Sequence, residues 1–201
     1  METVSSIGLA YSHTSNPGFQ NIKVITTWPG AGNTNQHKAP TEICYTGTES
    51  EWGYNIEAGQ DVPRYNNFKL LLDPDAVAAR YHDSQSTADP SSHAAISLPP
   101  GKSAEGVTSD YLKHLYQHVM TTLGRLAIPI SITPIQFVLT TPAMWSHRAQ
   151  DATREAARKA GFASRPGDTL TMVSEPEAAG SYVIAEMHSL REAAGISLQV
   201  R

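Results

Sequence analysis

The stretch FVLTTPAMWSHRAQDATREAARKAGFASRPGDTLTMVSEPEAAGSYVI, residues 137–184, decides the fold because strand and helix patterns alternate in it twice. Residues 135–142 are apolar, partly β-branched and closed by a proline, which predicts a short buried strand that stops there. Ser146 can then cap a helix in which alanines recur at helical spacing, and Gly161 favours a left-handed stop. The pattern predicts a helix that lies close against a sheet.

The second half of the stretch repeats this arrangement. Residues 170–174 predict another strand, and Pro176 fits the first position of the helix that follows. Glu175 therefore lies at the amino end of that helix, where the helix dipole and the free backbone donors favour negative charge, phosphate and its metal. Judged by its residues alone, this glutamate fits a phosphate site and an ordinary helix end equally well. The alternation itself predicts an α/β fold.

Three motifs in this stretch resemble the nucleotide-binding domain of the seventy-kilodalton heat-shock protein family. They are FVLTTPA at 137–143, QDATREAARKAGF at 150–162 and VSEPEAA at 173–179, in the order in which the family has them. Ser174 and Glu177 stand where the family usually has asparagine and threonine. The chain therefore resembles a divergent branch of the family, such as its large fungal and animal relatives.

The resemblance implies an actin-like ATPase (ribonuclease H-like) lobe, with a mixed sheet flanked by helices. It also implies catalytic roles for Lys69 and Glu175, with ATP and magnesium as cofactors. Lys69, in the segment NFKLLL at 67–72, would approach the terminal phosphate and the attacking water, and Glu175 would hold the magnesium through water. Without the family, a lysine before three leucines is better explained as a solvated cation.

The chain departs from the family at its first phosphate loop, where the family has aspartate-x-glycine-threonine-threonine. Residues 1–8 read METVSSIG, so only Thr3 and Ser5 remain as candidate nucleotide contacts from this loop. Pro142 matches the proline of the family's interdomain switch and is a third candidate for the nucleotide side of the site. Gln150 stands where the family has the arginine of that switch.

The resemblance predicts that residues 1–201 are one partial nucleotide-binding domain, its first lobe, incomplete at both ends. Two functions remain open. The first is an ATP-binding and, in the full-length form, ATP-hydrolysing chaperone-like protein, whose partners would include unfolded clients or co-chaperones. The second is a truncated, catalytically inactive fragment that acts as a binding module.

Composition agrees with a single globular lobe. The 201 residues are 40% hydrophobic and 17% charged, enough for one sizeable core. A net charge of -4 predicts no general attraction to nucleic acid or to an anionic membrane. The single cysteine, Cys44, excludes an internal disulfide and predicts a buried small hydrophobe. No signal peptide or membrane span is visible, so a cytoplasmic protein is expected.

The middle of the chain predicts a loop followed by a helix. Residues 82–107 are rich in serine, proline, alanine and glycine, which predicts a flexible insertion. Thr108 or Ser109 can cap the next helix, and Gly124 can end it. The sequence GKS at 101–103 imitates the end of a P-loop, but the first glycine of that motif is missing.

His114 and His118 of this helix share the spacing of paired zinc ligands. The glutamate that a metalloprotease helix needs after the first histidine is missing. A solvated helix face is the favoured interpretation of the pair.

Overall fold

A computed structural model describes residues 5–15, 18–57, 59, 61–74, 96–126 and 128–193. Thr3 and residues 82–95 of the predicted insertion lie outside the described residues. The fold is mixed α/β, with small sheets and three α-helices in the described part of the chain.

The strands are β1 (Ser6–Ile7), β2 (Ala10–Tyr11), β3 (Lys23–Val24), β4 (Ala39–Pro40), β5 (Glu42–Thr46), β6 (Glu49–Trp52), β7 (Arg64–Asn66), β8 (Gln136–Thr141) and β9 (Thr169–Ser174). The α-helices are α1 (Ala104–Gly124), α2 (His147–Ala160) and α3 (Glu175–Ala193), and short 3-10 helices span Phe19–Asn21, Gly53–Asn55 and Phe68–Leu72. In the described residues, no helix has both the length and the apolar character needed to cross a membrane.

The strands form four separate sheets within the described residues. Strands β1 and β4 pair antiparallel, as do β2 and β3, and β6, β5 and β7 form an antiparallel sheet in that order. Strands β8 and β9 are parallel and in register along their whole length. The single mixed sheet of the prediction is therefore not what these residues form, because the short strands β1 to β4 pair among themselves and not with β8.

The first predicted strand-helix unit is confirmed. The Ser146 hydroxyl accepts a hydrogen bond from the Ala149 backbone N–H at 3.3 Å, so it caps α2 as expected. Gly161 ends the helix with φ 110°, and a Cβ atom there would come within 3.0 Å of the Tyr116 ring. The predicted alanine stripe is buried at Ala149, Ala156, Ala157 and Ala160.

The start of α3 differs from the prediction by one position. The Ser174 hydroxyl accepts a hydrogen bond from the Glu177 N–H at 3.3 Å, which makes Ser174 the capping residue. Glu175 is then the first helical residue and Pro176 the second. The proline still costs no hydrogen bond, because the second N–H of a helix also lacks an intrahelical acceptor.

Helix α1 begins a turn earlier than predicted and ends at Gly124 as predicted. Ser103, not Thr108 or Ser109, is its cap and accepts a hydrogen bond from the Gly106 N–H at 3.1 Å. Residues 104–107, assigned by sequence to the flexible insertion, are helical. The earlier start buries Val107 completely, which a solvated loop would not do.

The core lies where α1 meets α2 and the antiparallel sheet of β6, β5 and β7. Its largest fully buried side chains are Tyr111, Phe68, Ile43, Leu115, Val107 and Cys44. The buried position of Cys44 confirms its predicted packing role. Helix α1 packs mainly on α2. It reaches β8 through Tyr116, whose ring lies 5.9 Å from that of Phe137 and 5.3 Å from that of Phe162, between ring centroids.

Candidate functional site

A cavity of about 290 Å³ opens where the ends of β8 and β9, the start of α3, the 3-10 helix Phe68–Leu72 and the β1–β4 pair come together. We call it the charged cavity. Its polar lining residues are Ser6, Lys38, Thr41, Lys69, Thr108, Thr140, Thr153 and Glu175, and its apolar ones include Ile7, Leu72, Leu112, Leu139, Pro142 and Trp145. Ligands of α/β proteins commonly bind beyond the carboxyl ends of parallel strands, which is where this cavity lies.

Lys69 reaches the cavity because its own short helix is anchored on both sides. Phe68 and Leu72 are buried and fix the helix against the core. At its end the buried Asp73 carboxylate accepts a hydrogen bond from the Ser146 backbone N–H at 2.7 Å, which ties the segment to the start of α2. The half-buried Lys69 is thus held on a rigid support.

Glu175 lines the same cavity from the first residue of α3, where the helix dipole is positive. Within the described residues, neither its carboxylate nor the Lys69 ammonium has a hydrogen-bond or ion-pair partner. The two residues to which the family resemblance gives catalytic roles therefore line one cavity, and neither charge is neutralised by another described residue.

The predicted nucleotide contacts fare differently. Pro142 lines the cavity, as expected for its position at the end of β8. Ser5 does not line it, although its carbonyl accepts a hydrogen bond from the N–H of the lining residue Thr41 at 2.7 Å. Its neighbours Ser6 and Ile7 line the cavity instead. Thr3 lies outside the described residues.

Sequence reasoning missed Lys38, Thr140 and Trp145 in the lining of this cavity. Thr140 could have been found, because it stands near the carboxyl end of a predicted parallel strand. Lys38 carries no local signal, since it enters the site only through the pairing of β4 with β1, two short strands far apart in sequence.

A second and larger cavity, of about 450 Å³, lies at the other half of α1. We call it the aromatic cavity, and it is lined by Thr27, Trp28, Pro29, Trp52, His114, Gln117, His118, Thr121 and Arg125. The His114 ring stacks on Trp52 at 6.1 Å and 13°, and its Nε2 lies 2.8 Å from the Ser50 hydroxyl oxygen. The His118 ring stacks on Trp28 at 5.2 Å and 28°.

These contacts correct the predicted solvated face of α1, because both histidines are half-buried against indole rings. Burial lowers the pKa of His114, although the nearby Asp110 carboxylate opposes the change. Burial likewise lowers the pKa of His118, although a contact with the backbone of Thr27 opposes the change. Among the described residues, no group of three or more histidine, cysteine or acidic side chains is placed to hold a metal ion.

Comparison with known proteins gives distant relatives. No protein-family model matches the chain. Heat shock 70 kDa protein 12A of Homo sapiens is 28% identical over 186 residues, which cover 89% of this chain. Heat shock 70 kDa protein 12B of Homo sapiens is 27% identical over an alignment of 209 residues that covers 95% of this chain. The Mus musculus 12A protein is 28% identical over 190 residues.

The similarity covers most of this chain but a small part of each relative. The chain spans 27% of the length of the two 12A proteins and 28% of the 12B protein. Nearly the whole chain is therefore distantly similar to a part of these heat shock 70 kDa proteins.

Proposed function

We propose that this chain forms the phosphate-binding side of an actin-like ATPase lobe of heat-shock 70 type. The observation that carries the proposal is the placement of Lys69 and Glu175 on one cavity, each without a partner among the described residues. The similarity to heat shock 70 kDa proteins 12A and 12B supports ATP as the ligand. The 12A and 12B proteins also support a divergent branch of that family.

The residues of the charged cavity suit a magnesium-bound triphosphate. Phosphoryl transfer to water needs an aligned water molecule and neutralisation of the charge that develops on the phosphate oxygens. The Lys69 ammonium would bind the terminal phosphate and orient the attacking water. The Glu175 carboxylate would hold magnesium through water, as oxygen ligands commonly do, and the metal when bound supplies further neutralisation of charge.

The same likeness supports a proposal for the wider role of the protein. We propose a chaperone-like ATPase that acts on unfolded clients or with co-chaperones in the cytoplasm. The net charge of -4 fits a protein that binds neither nucleic acid nor membrane.

Calorimetric titration with magnesium-ATP tests the proposal. We expect the 201-residue chain to bind, and Lys69→Gln and Glu175→Gln each to weaken binding about tenfold, since each removes a charged contact. Lys113→Gln is the matched control, because Lys113 is exposed on α1 and does not line the cavity. Equal affinity in all four proteins would refute the assignment, and binding with no phosphate release in the same samples would identify an inactive binding module.

A further inference from the structure

We propose that Lys38 is a second phosphate-binding cation of the charged cavity and favours a triphosphate over a diphosphate. The inference rests on the proposed function, because it concerns the same cavity. Lys38 lines that cavity from the β1–β4 side, whereas Lys69 lines it from the 3-10 helix. A polyphosphate between these two walls would be bound by an ammonium group from each.

Strand pairing brings Lys38 to the cavity. In the β1–β4 pair, Ser6 lies opposite Pro40 and Ile7 opposite Ala39, so the next pair along the chain is Gly8 and Lys38. A Cβ atom at Gly8 would lie 3.6 Å from Lys38 Cγ and 3.3 Å from the His37 carbonyl oxygen. The first of these is an ordinary van der Waals distance, so the aliphatic part of Lys38 lies beside the strand at Gly8.

A hydrogen bond fixes the backbone of Lys38, while its ammonium is unpaired among the described residues. The Tyr54 hydroxyl donates a hydrogen bond to the Lys38 carbonyl at 3.0 Å, which holds this residue beside the cavity. Within the described residues the Lys38 ammonium has no carboxylate partner. Lys102, in contrast, is neutralised by Asp110 at 2.6 Å.

The charge balance of the cavity favours a polyanion. Two ammonium groups face one carboxylate, so the lining carries an excess of positive charge. Two unpaired cations on one small cavity raise the local potential, and an anion that contacts both relieves their repulsion. A triphosphate carries more negative charge and has greater reach than a diphosphate. It therefore gains more from the second cation.

Binding of inorganic tripolyphosphate and pyrophosphate, each with magnesium, tests the inference without the nucleoside. Trp145 lines the cavity and provides a fluorescence readout beside calorimetry. We expect Lys38→Gln to weaken tripolyphosphate binding about tenfold and pyrophosphate binding less than about threefold. Lys38→Arg keeps the charge and is expected to retain the preference for the longer anion. Lys23→Gln is the control, because Lys23 is exposed and lies outside this cavity.

The outcomes distinguish a failure of the proposed function from a failure of the Lys38 assignment. If the unaltered protein binds neither polyphosphate nor ATP, the proposed function falls, and the assignment of Lys38 falls with it. If the unaltered protein binds and Lys69→Gln weakens binding, while Lys38→Gln behaves like the Lys23→Gln control, the proposed function stands and only the role of Lys38 is overturned. Equal losses for the two anions would overturn the selectivity.

Discussion

The two cavities lie on the same helix and differ in how their polar groups are used. The amino-terminal half of α1 lines the charged cavity with Thr108, Tyr111 and Leu112, and its carboxyl-terminal half lines the aromatic cavity with His114 and His118. In the larger aromatic cavity, both histidine rings stack on indoles. In the smaller one, three charged side chains from different elements have no partner among the described residues, whereas in the larger one this holds for Arg125 alone among the described charged side chains. Unused charge, more than volume, therefore marks the candidate ligand site.

The aromatic cavity is better described as the rim of the core. Trp28 and Trp52 are each only 5% exposed, and their rings meet edge to face at 6.3 Å. Trp52 also meets the Tyr111 ring at 5.6 Å and 85°, so the wall of this cavity continues into the most buried part of α1. Edge-to-face pairs contribute about 0.5–1.5 kcal/mol each beyond the burial of their area.

The largest effect should come from the aromatic wall. Trp52→Ala removes a buried indole and its contacts with Trp28, Tyr111 and His114, so we expect a loss of about 3–5 kcal/mol in the free energy of unfolding. Urea unfolding followed by circular dichroism measures it. The comparison protein is Trp145→Ala, since Trp145 is only half-buried in the charged cavity and should cost less. Equal losses at the two tryptophans would remove the distinction between the cavities.

A smaller effect should appear as a pH dependence that belongs to the aromatic cavity. Burial lowers the pKa of His114 and His118 from an ordinary value of 6.5, so the folded protein favours their neutral forms. Above pH 6.5 the two histidines are neutral in the folded and in the unfolded state, and their contribution to stability is fully present. As the pH falls through 6.5 and towards the folded pKa values, the unfolded state binds protons first and stability is lost.

Urea unfolding at about pH 8 and at about pH 5 checks this sign. We expect lower stability at the acidic value, and a smaller difference when His114 and His118 are both replaced by glutamine. The range stays above the region in which Asp168, whose pKa is lowered by its hydrogen bond to Arg165, begins to bind protons. His147→Gln is the control, because His147 is exposed on α2. A double variant with the full pH dependence would show that other groups cause it.

The sequence predicts a feature well when the residues that determine it are neighbours along the chain. Ser146 and Gly161 bound α2 with their own side-chain and backbone preferences, so that helix was predicted to the residue. Strands β8 and β9 were predicted because each is a short apolar run next to a helix signal. The roles of Lys69 and Glu175 were predicted from a family resemblance and stay a prediction, while the structure shows that both residues line one cavity.

The failures share the opposite property, because each depends on partners distant in sequence. The sequence of α1 alone favours a solvated position for its two histidines. The indoles of Trp28 and Trp52, which cover them, belong to a distant part of the chain. Lys38 reaches the cavity only through the β1–β4 pair, whose two strands are separated along the chain by β2 and β3. Neither periodicity nor spacing contains these contacts.

The smallest expected effect on stability is at the charged cavity itself. Lys69 and Glu175 lack partners in the described residues, so Lys69→Gln should change the free energy of unfolding by less than about 0.5 kcal/mol. Glu175→Gln should cost at most about 1 kcal/mol, which is the usual contribution of an acidic residue at a helix amino end. Thermal unfolding without ligand measures both, and Lys113→Gln, an exposed change on α1, is the control. Repeating the measurement with magnesium-ATP separates the two meanings of Glu175, because a bound ligand stabilises only proteins that still bind it. If Glu175 only stabilises its helix, the Glu175→Gln protein should be less stable and should still be stabilised by magnesium-ATP. If Glu175 holds magnesium, the variant should keep most of its stability without ligand and lose the stabilisation by magnesium-ATP.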